Sequence, residues 1–408
     1  MKLPPVATGR TRLSFVPQSQ SARASLLIPG QTRTVLLLSM RRLADLVAYC
    51  AQYEFEDVIA QVTGADRVEV DDEPALEFSR RVYKLVRLGT RSQRLARVLA
   101  PWPSTVRLER DYELFFPIFN HTYELYALRA LPAWRARSRV AACFITEVWA
   151  HLLPGYLLEL LAEFDHIFVG TRHCVEEVAR VTGRPCTYLP QGADVLRFSP
   201  WPNRPPRDID VCNIGRRSPV THERLVSLAA ARRIFYYFDT FAGGSGREQK
   251  QRTFRVADPR QHRLLLASLL QRSRYFIANR SRVNEPEHTG GHEEIAGRFY
   301  EGAAAGAVML GEPPNAEQFR SQFGWPDAVI RMPFDCPDVE RVLAELDADQ
   351  ERLARIRHEN ARQAALQHDW NHRLESVFRT VGLNPTPAMR ERRGHLDELA
   401  ARPSPTGR

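Results

Sequence analysis

Two glutamates eight positions apart, Glu293 and Glu301, lie in a stretch also rich in glycine, histidine and arginine. It runs from Tyr275 to Gly311: YFIANRSRVNEPEHTGGHEEIAGRFYEGAAAGAVMLG. A carboxylate accepts hydrogen bonds from two neighbouring hydroxyls, which suits a sugar diol. A helix N-terminus behind the Gly290-Gly291 turn would offer free N–H groups and positive potential, which suits a phosphate. Around a helix, eight positions leave the two carboxylates about 80° apart, so they would grip two parts of one elongated ligand. Phosphate between two diols describes a nucleotide sugar.

The elements around these residues read as strand, loop, helix, strand. Tyr275 to Ala278 is a short apolar run, and a helical pattern opens near His292 with Ile295, Phe299, Gly302 and Gly306 at helical spacing. The run Ala303-Ala304-Ala305 lets that helix lie close to a sheet, and Ala307 to Leu310 is the next strand. The rest of the chain repeats the alternation. Thr34–Met40, Asp57–Val62, Leu114–Phe119, Val140–Ile145, His166–Val169 and Thr187–Leu189 read as strands, and Asp210 restarts a second set after Pro-rich Trp201–Pro206. Helices are predicted near Leu43–Tyr53, Tyr123–Leu131, Tyr156–Phe164, Val175–Thr182, Leu264–Gln271, Val339–Gln367 and Trp370–Val381. Arg80–Leu99 is expected to be one Arg-rich helix that buries Val82, Leu85, Val86, Leu95 and Val98 and keeps its arginines in solvent. Such alternation means doubly wound parallel sheets, which bind ligands beyond the carboxyl ends of strands.

The Tyr275–Gly311 stretch resembles the donor site of retaining GT-B glycosyltransferases, in which a Glu, seven residues and a second Glu precede a small-residue helix and a strand. The likeness to the group-1 and spore-maturation-like branches runs to about Gly382. It implies two Rossmann-like domains facing across a cleft, Glu293 on donor-sugar hydroxyls and Glu301 on the ribose. The family's Gly-aromatic-Gly turn is replaced here by Glu294-Ile295-Ala296-Gly297, so Glu293 and Glu294 are alternatives for the first role. Members neutralise the departing diphosphate with a basic pair. With no Lys nearby, that work would fall to Arg216 or Arg217, and to Arg280 or Arg282 after the next cleft strand, as guanidiniums bind phosphate bidentately. Where the family places a His after a first-domain strand, this chain has Glu147, with His151 four residues on. Glu147 could bind a sugar hydroxyl or act as acid/base near the reacting carbon, or merely cap a helix. Gly192-Ala193-Asp194, three residues, then Phe198 resembles the family's crossing between domains, and Asp194 joins the binding set.

The expected organisation is an arm over 1–32, an acceptor-side domain over 33–198, a linker over 199–206 and a nucleotide-sugar domain over 207–368. A helix over 369–383 would return to the first domain, ahead of a disordered tail over 384–408.

At 408 residues with 44% hydrophobic and 26% charged, the chain has the composition of a globular protein with two full cores. Its six cysteines are scattered, without a CxxC pair, which argues for reduced thiols, cytosol and no zinc site. The net charge of +9 comes almost wholly from arginine, without a basic run interleaved with aromatics, so no nucleic-acid partner is expected. Weak contact with an anionic membrane stays open. Asp208/Asp210 and Asp347/Asp349 look like metal-binding Asp-x-Asp pairs, but fall in a linker and on a helix. Neither a metal nor a cofactor beyond the donor itself is expected. The reading is therefore a metal-independent hexosyl transfer from a nucleotide sugar to a glycan, lipid-linked or small acceptor, in the cytoplasm or at the inner membrane face. A nucleotide-sugar epimerase of the same fold and a non-catalytic sugar-nucleotide-binding protein are the alternatives.

Overall fold

The computed structural model describes residues 35–43, 46–70, 73–101, 105–239 and 255–404. The arm expected over 1–32 lies outside them. Two parallel sheets organise the rest. The first contains β1 (Val35–Ser39), β2 (Asp66–Glu69), β3 (Tyr112–Phe115), β4 (Ile118–His121), β5 (Ser138–Glu147), β6 (His166–Val169) and β7 (Cys186–Tyr188). Its order is β2-β1-β3-β5-β6-β7, with β4 also paired to β5. The second contains β8 (Ile209–Asn213), β9 (Tyr236–Phe238), β10 (Ser273–Ile277), β11 (Val308–Gly311) and β12 (Ile330–Arg331), in the order β12-β11-β10-β8-β9. This is the α/β class with two doubly wound, Rossmann-like sheets.

Each sheet is buried on both faces, which is why its strands read as unbroken apolar runs rather than alternating ones. In β1, Leu36 and Leu38 join one core, and Val35 and Leu37 the other. In the second sheet Phe276 and Met309 face one core, and Tyr275, Ile277, Val308 and Leu310 the opposite one. Gly302 allows the helix Gly297–Ala304 to lie on this sheet: a Cβ there would meet Met309 Sδ at 2.6 Å and Phe276 Cδ1 at 2.9 Å. Both sheets reverse their winding next to their first strand, and the second does so between β8 and β10. Loops leaving those two strands are where such a sheet receives a ligand.

Several expected elements differ. Asp57–Val62 is not a strand but part of helix α1 (Cys50–Thr63), because Phe55, Val58, Ile59 and Val62 fall on one helical face and pack together. The helix expected over Val339–Gln367 is two, Val339–Asp347 and Gln350–Gln367. Asp349 caps the second through the Arg352 N–H (2.8 Å). Arg80–Leu99 also divides, into α2 (Glu73–Thr90) and α3 (Gln93–Leu99), with Ser92 accepting from the Leu95 N–H. Of the stripe expected to be buried, Val82 and Val86 reach the core, whereas Leu85 is 73% and Val98 76% exposed.

Within the tail expected to be disordered over 384–408, the described residues 384–404 include a further helix. Pro387–Ala400 is a helix capped by Thr386, and its Met389, Arg392 and Leu396 are buried at helical spacing. The preceding helix, Trp370–Thr380, packs into the first sheet's core, where Trp370 stacks on Phe55 at 4.6 Å.

The Asp-x-Asp pairs serve ion pairs and caps: Asp208 pairs with Arg272, and Arg274 joins Asp210 to Asp347. All six cysteines are unpaired thiols. Among the described residues no helix is long and apolar enough to cross a membrane.

Candidate functional site

The loops leaving β5 and β6 meet those leaving β8, β10 and β11, and charged side chains span the gap. Glu147, the last residue of β5, accepts from Arg282 Nε at 2.6 Å and from Trp149 Nε1 at 2.8 Å. Arg282 also reaches Glu285 (2.8 Å), which in turn pairs with Arg216 (3.0 Å). Glu147 and Arg216, 69 positions apart, are thus joined by a chain of alternating charges. His151 sits in the turn Ala150–Leu152, and its side chain lies outside the described residues.

The Gly290-Gly291 turn does not open the helix. Gly290 (φ 60°) ends the short helix Pro286–Thr289, Gly291 (φ 83°) follows in the same left-handed region, and the next helix starts only at Gly297. Neither glycine therefore supplies helix N-terminal N–H groups. Glu293 accordingly lies in a loop, not on a helix with Glu301. Its Oε2 accepts from the Asn315 N–H (2.7 Å), and Arg280 lies 3.4 Å from Oε1. Arg280 pairs more closely with Glu312, which follows β11.

Glu294 is buried and crosses to the first sheet's loops. Its Oε1 lies 2.6 Å from His173 Nδ1, on the loop after β6. The His173 side chain is only 9% exposed, its ring stacks on His292 at 4.1 Å, and its Nε2 is buried without a hydrogen-bond partner. A carboxylate on Nδ1 orients the imidazole and leaves Nε2 to exchange a proton. These groups, with Arg172, Asn315 and Gln318, line a cavity of about 450 Å³. Sequence reasoning missed His173. The signal was its place just beyond a strand's carboxyl end.

The helix Gly297–Ala304 starts at Ala296 without a side-chain cap. Beside that N-terminus, Arg298 donates to the Ile214 carbonyl, and its guanidinium occupies the space that a side chain at Gly215 (φ 76°) would fill. No ion pair is formed by Arg298 among the described residues, and burial pulls its pKa down. Arg216 leads on from Gly215 and has a buried Nε without a partner. Two guanidiniums with spare donors therefore flank an uncapped helix start at the turn after β8. Arg217 is not one of them: Asp239 holds it, and the same Asp239 accepts from the Gly215 N–H (3.0 Å). Arg298 was also missed, since nothing in its spacing separates it from the many surface arginines of this chain.

Glu301 is buried and paired with Arg263, from the helix Pro259–Gln271. Arg263 in turn forks onto both oxygens of Glu54 in α1, at 2.8 and 3.0 Å. Asp194 belongs to the point where the chain passes between the sheets. Its buried carboxylate is held by Arg392 (2.7 Å) and caps Val195–Phe198 through the Arg197 N–H. Arg392 also binds Asp369 there (2.7 Å). The expectation that Asp194 binds substrate gives way to a structural role, because its oxygens are already engaged.

Residues 258–379 match a family model described as glycosyl transferase-like. Comparison with curated proteins finds no sequence match. Among solved structures, a glycosyltransferase from Rickettsia africae shares 9% identity at a TM-score of 0.47, covering 86% of this chain and 98% of its own. The glycotransferase of kitacinnamycin shares 13% identity at a TM-score of 0.37, covering 85% and 98%. A protein described as a UDP-N-acetylglucosamine 2-epimerase from Listeria monocytogenes shares 10% at 0.40, covering 85% and 96%.

Proposed function

We propose that this chain transfers a hexose-type sugar from a nucleotide-sugar donor to a hydroxyl of a glycan, lipid-linked or small-molecule acceptor. One observation carries the reading: Arg216 and Arg298 flank the uncapped N-terminus of Gly297–Ala304, at the β8 turn where a doubly wound sheet receives a ligand, in a fold whose 258–379 segment matches a glycosyl transferase-like model. The donor diphosphate would lie there. Bond cleavage adds charge to it, and guanidinium and N–H donors aimed at that charge stabilise the transition state, each worth about 3–4 kcal/mol when well placed. This supplies the electrostatic work without calling on a metal ion.

The other residues take roles along the ligand. Arg263 holds Glu301 Oε1, so Oε2 is the oxygen that the ribose diol would approach. Glu293 would accept from donor-sugar hydroxyls, with Arg280 steadying it. His173, oriented by Glu294, offers Nε2 to the acceptor proton. The Glu147–Arg282 pair stands where the acceptor enters from the first sheet's side and would open to admit it. Retention of anomeric configuration is what the resemblance implies, and the anomeric coupling of the product measures it.

The test is nucleoside diphosphate release from a panel of nucleotide sugars with and without acceptors. Acceptor-dependent release, lowered roughly 100-fold by Arg298→Ala and by Arg216→Ala, is expected. Conversion of a donor to its isomer with no acceptor would overturn the proposal in favour of an epimerase. Donor binding without turnover across the panel would overturn it in favour of a binding protein.

A further inference from the structure

Helices α2 and α3 keep a second apolar face that folding does not use. α2 meets its own core through Leu76, Val82, Tyr83 and Val86. Its opposite side carries Phe78, Leu85 and Leu88, and α3 adds Leu95, Val98 and Leu99, each at least 48% exposed. At 100° per residue, Phe78 and Leu85 lie about 20° apart on α2, with Arg81 and Leu88 within about 80° of Phe78. These are side by side, not scattered. Isolated exposed leucines need no explanation, but six large apolar side chains on two adjoining helices do.

The same surface is strongly basic. From Glu73 to Leu99 there are seven Lys and Arg against two Glu. Glu77 holds Arg80 and Arg81, while Arg87 and Arg97 pair with Glu159 and Glu163. Lys84, Arg91 and Arg94 are exposed and form no ion pair among the described residues.

We propose that this face docks on an anionic lipid bilayer. The interleaving decides the occupant. A protein interface gathers its apolar residues in a dry centre depleted of lysine, with charge at the rim. Here the charges stand among the apolar groups, which fits a surface where apolar side chains enter the acyl boundary while guanidinium and ammonium groups meet lipid phosphates at nearly the same depth.

The face also adjoins the cleft. Arg80 lies over the Tyr123 ring (5.3 Å) and Lys84 over the Tyr156 ring (5.9 Å). Tyr123 follows β4, whose His121 is in register with Glu147 at the end of β5. Tyr123 and Leu152, close in sequence to those strand ends, are themselves more than half exposed. Docking would thus present the acceptor side of the cleft to the membrane, which favours a lipid-linked acceptor. That corollary rests on the proposed transfer activity. The docking itself does not.

The experiment is co-sedimentation of the full chain with vesicles of mixed phosphatidylglycerol and phosphatidylcholine, and with vesicles of phosphatidylcholine alone. The expected result is a partition at least roughly tenfold higher on the anionic vesicles, falling at high salt. Leu85→Ser/Val98→Ser/Leu99→Ser should lower it by roughly tenfold or more, and Lys84→Glu/Arg91→Glu/Arg94→Glu by roughly 100-fold. All six positions are exposed, so circular dichroism should show unchanged folding. Equal partition on both vesicle types, or no response to either triple variant, overturns the proposal. So does self-association in light scattering that the Leu/Val variant abolishes with no vesicle binding, since a second copy would then be the occupant. Donor binding in solution is a separate readout, so failure here and failure of the proposed activity are told apart.

Discussion

Replacing Arg263 by methionine keeps most of the side chain's stem and removes its guanidinium. In the structure that group is 3% exposed, forks onto both Glu54 oxygens, reaches Glu301 and lies over the Phe198 ring at 4.7 Å. Removing it strips Glu301 of its paired cation and leaves Glu54 only Arg197 (3.4 Å), a change that costs about 3–5 kcal/mol. The two are not stranded equally. Glu54 keeps the Asp194 N–H (2.8 Å) and Trp370 Nε1 (3.1 Å), whereas Glu301 loses the cation that neutralises it. The larger share of the cost therefore falls on Glu301, and adding Glu301→Gln to Arg263→Met should return about 1–3 kcal/mol. Urea unfolding followed by tryptophan fluorescence measures both. A single variant within about 1 kcal/mol of the parent, or a double variant no more stable than Arg263→Met, would refute the account of this triad.

Three further outcomes are expected. Gly215→Ala places a Cβ against the Arg298 guanidinium at φ 76°, so it should weaken nucleoside diphosphate binding by roughly tenfold or more, beyond its backbone cost of about 1 kcal/mol; calorimetry showing unchanged affinity would contradict this. His173→Gln should lower turnover by roughly 100-fold while leaving donor affinity intact, and parallel losses in both would assign His173 to structure instead. Burial outweighs the Arg41 charge and pushes Glu56 up to about 7, so the folded state holds that proton more tightly than the unfolded chain. The stability this confers is full below the unfolded value and is lost as pH rises through about 7. Relative to Glu56→Gln, the parent should therefore lose stability on the order of 2 kcal/mol between pH 5 and 7.5, and a pH-independent difference would count against it.

The sheets were legible because their strands are apolar on both faces. Val140–Ile145 and Tyr275–Ala278 could hardly be anything but buried strands, and Ala303-Ala304-Ala305 marks a helix pressed onto a sheet. Short runs were not decisive: Val58, Ile59 and Val62 fit a strand by composition and a helix by spacing, and packing with Phe55 chose the helix. The α2–α3 stripe failed for a different reason. Periodicity locates an apolar face but not what covers it. Within the candidate site, Glu301, Arg216 and Glu294 could be picked out because local pattern marks them. Their partners could not, since Arg263 meets Glu54 across 209 positions and His173 meets Glu294 across 121. Asp194 shows the converse. A local resemblance placed it among ligand contacts, whereas Arg392, 198 positions later, takes its carboxylate.

The most direct test of the central claim is calorimetric titration of the full chain with a nucleoside, its monophosphate and its diphosphate, for each common base. If Arg216, Arg298 and the start of Gly297–Ala304 form a diphosphate site, one diphosphate should bind, its monophosphate should bind at least roughly tenfold more weakly, and Arg298→Ala should remove most of that difference. Equal affinity for mono- and diphosphate, or a preference that survives Arg298→Ala and Arg216→Ala together, would contradict the site.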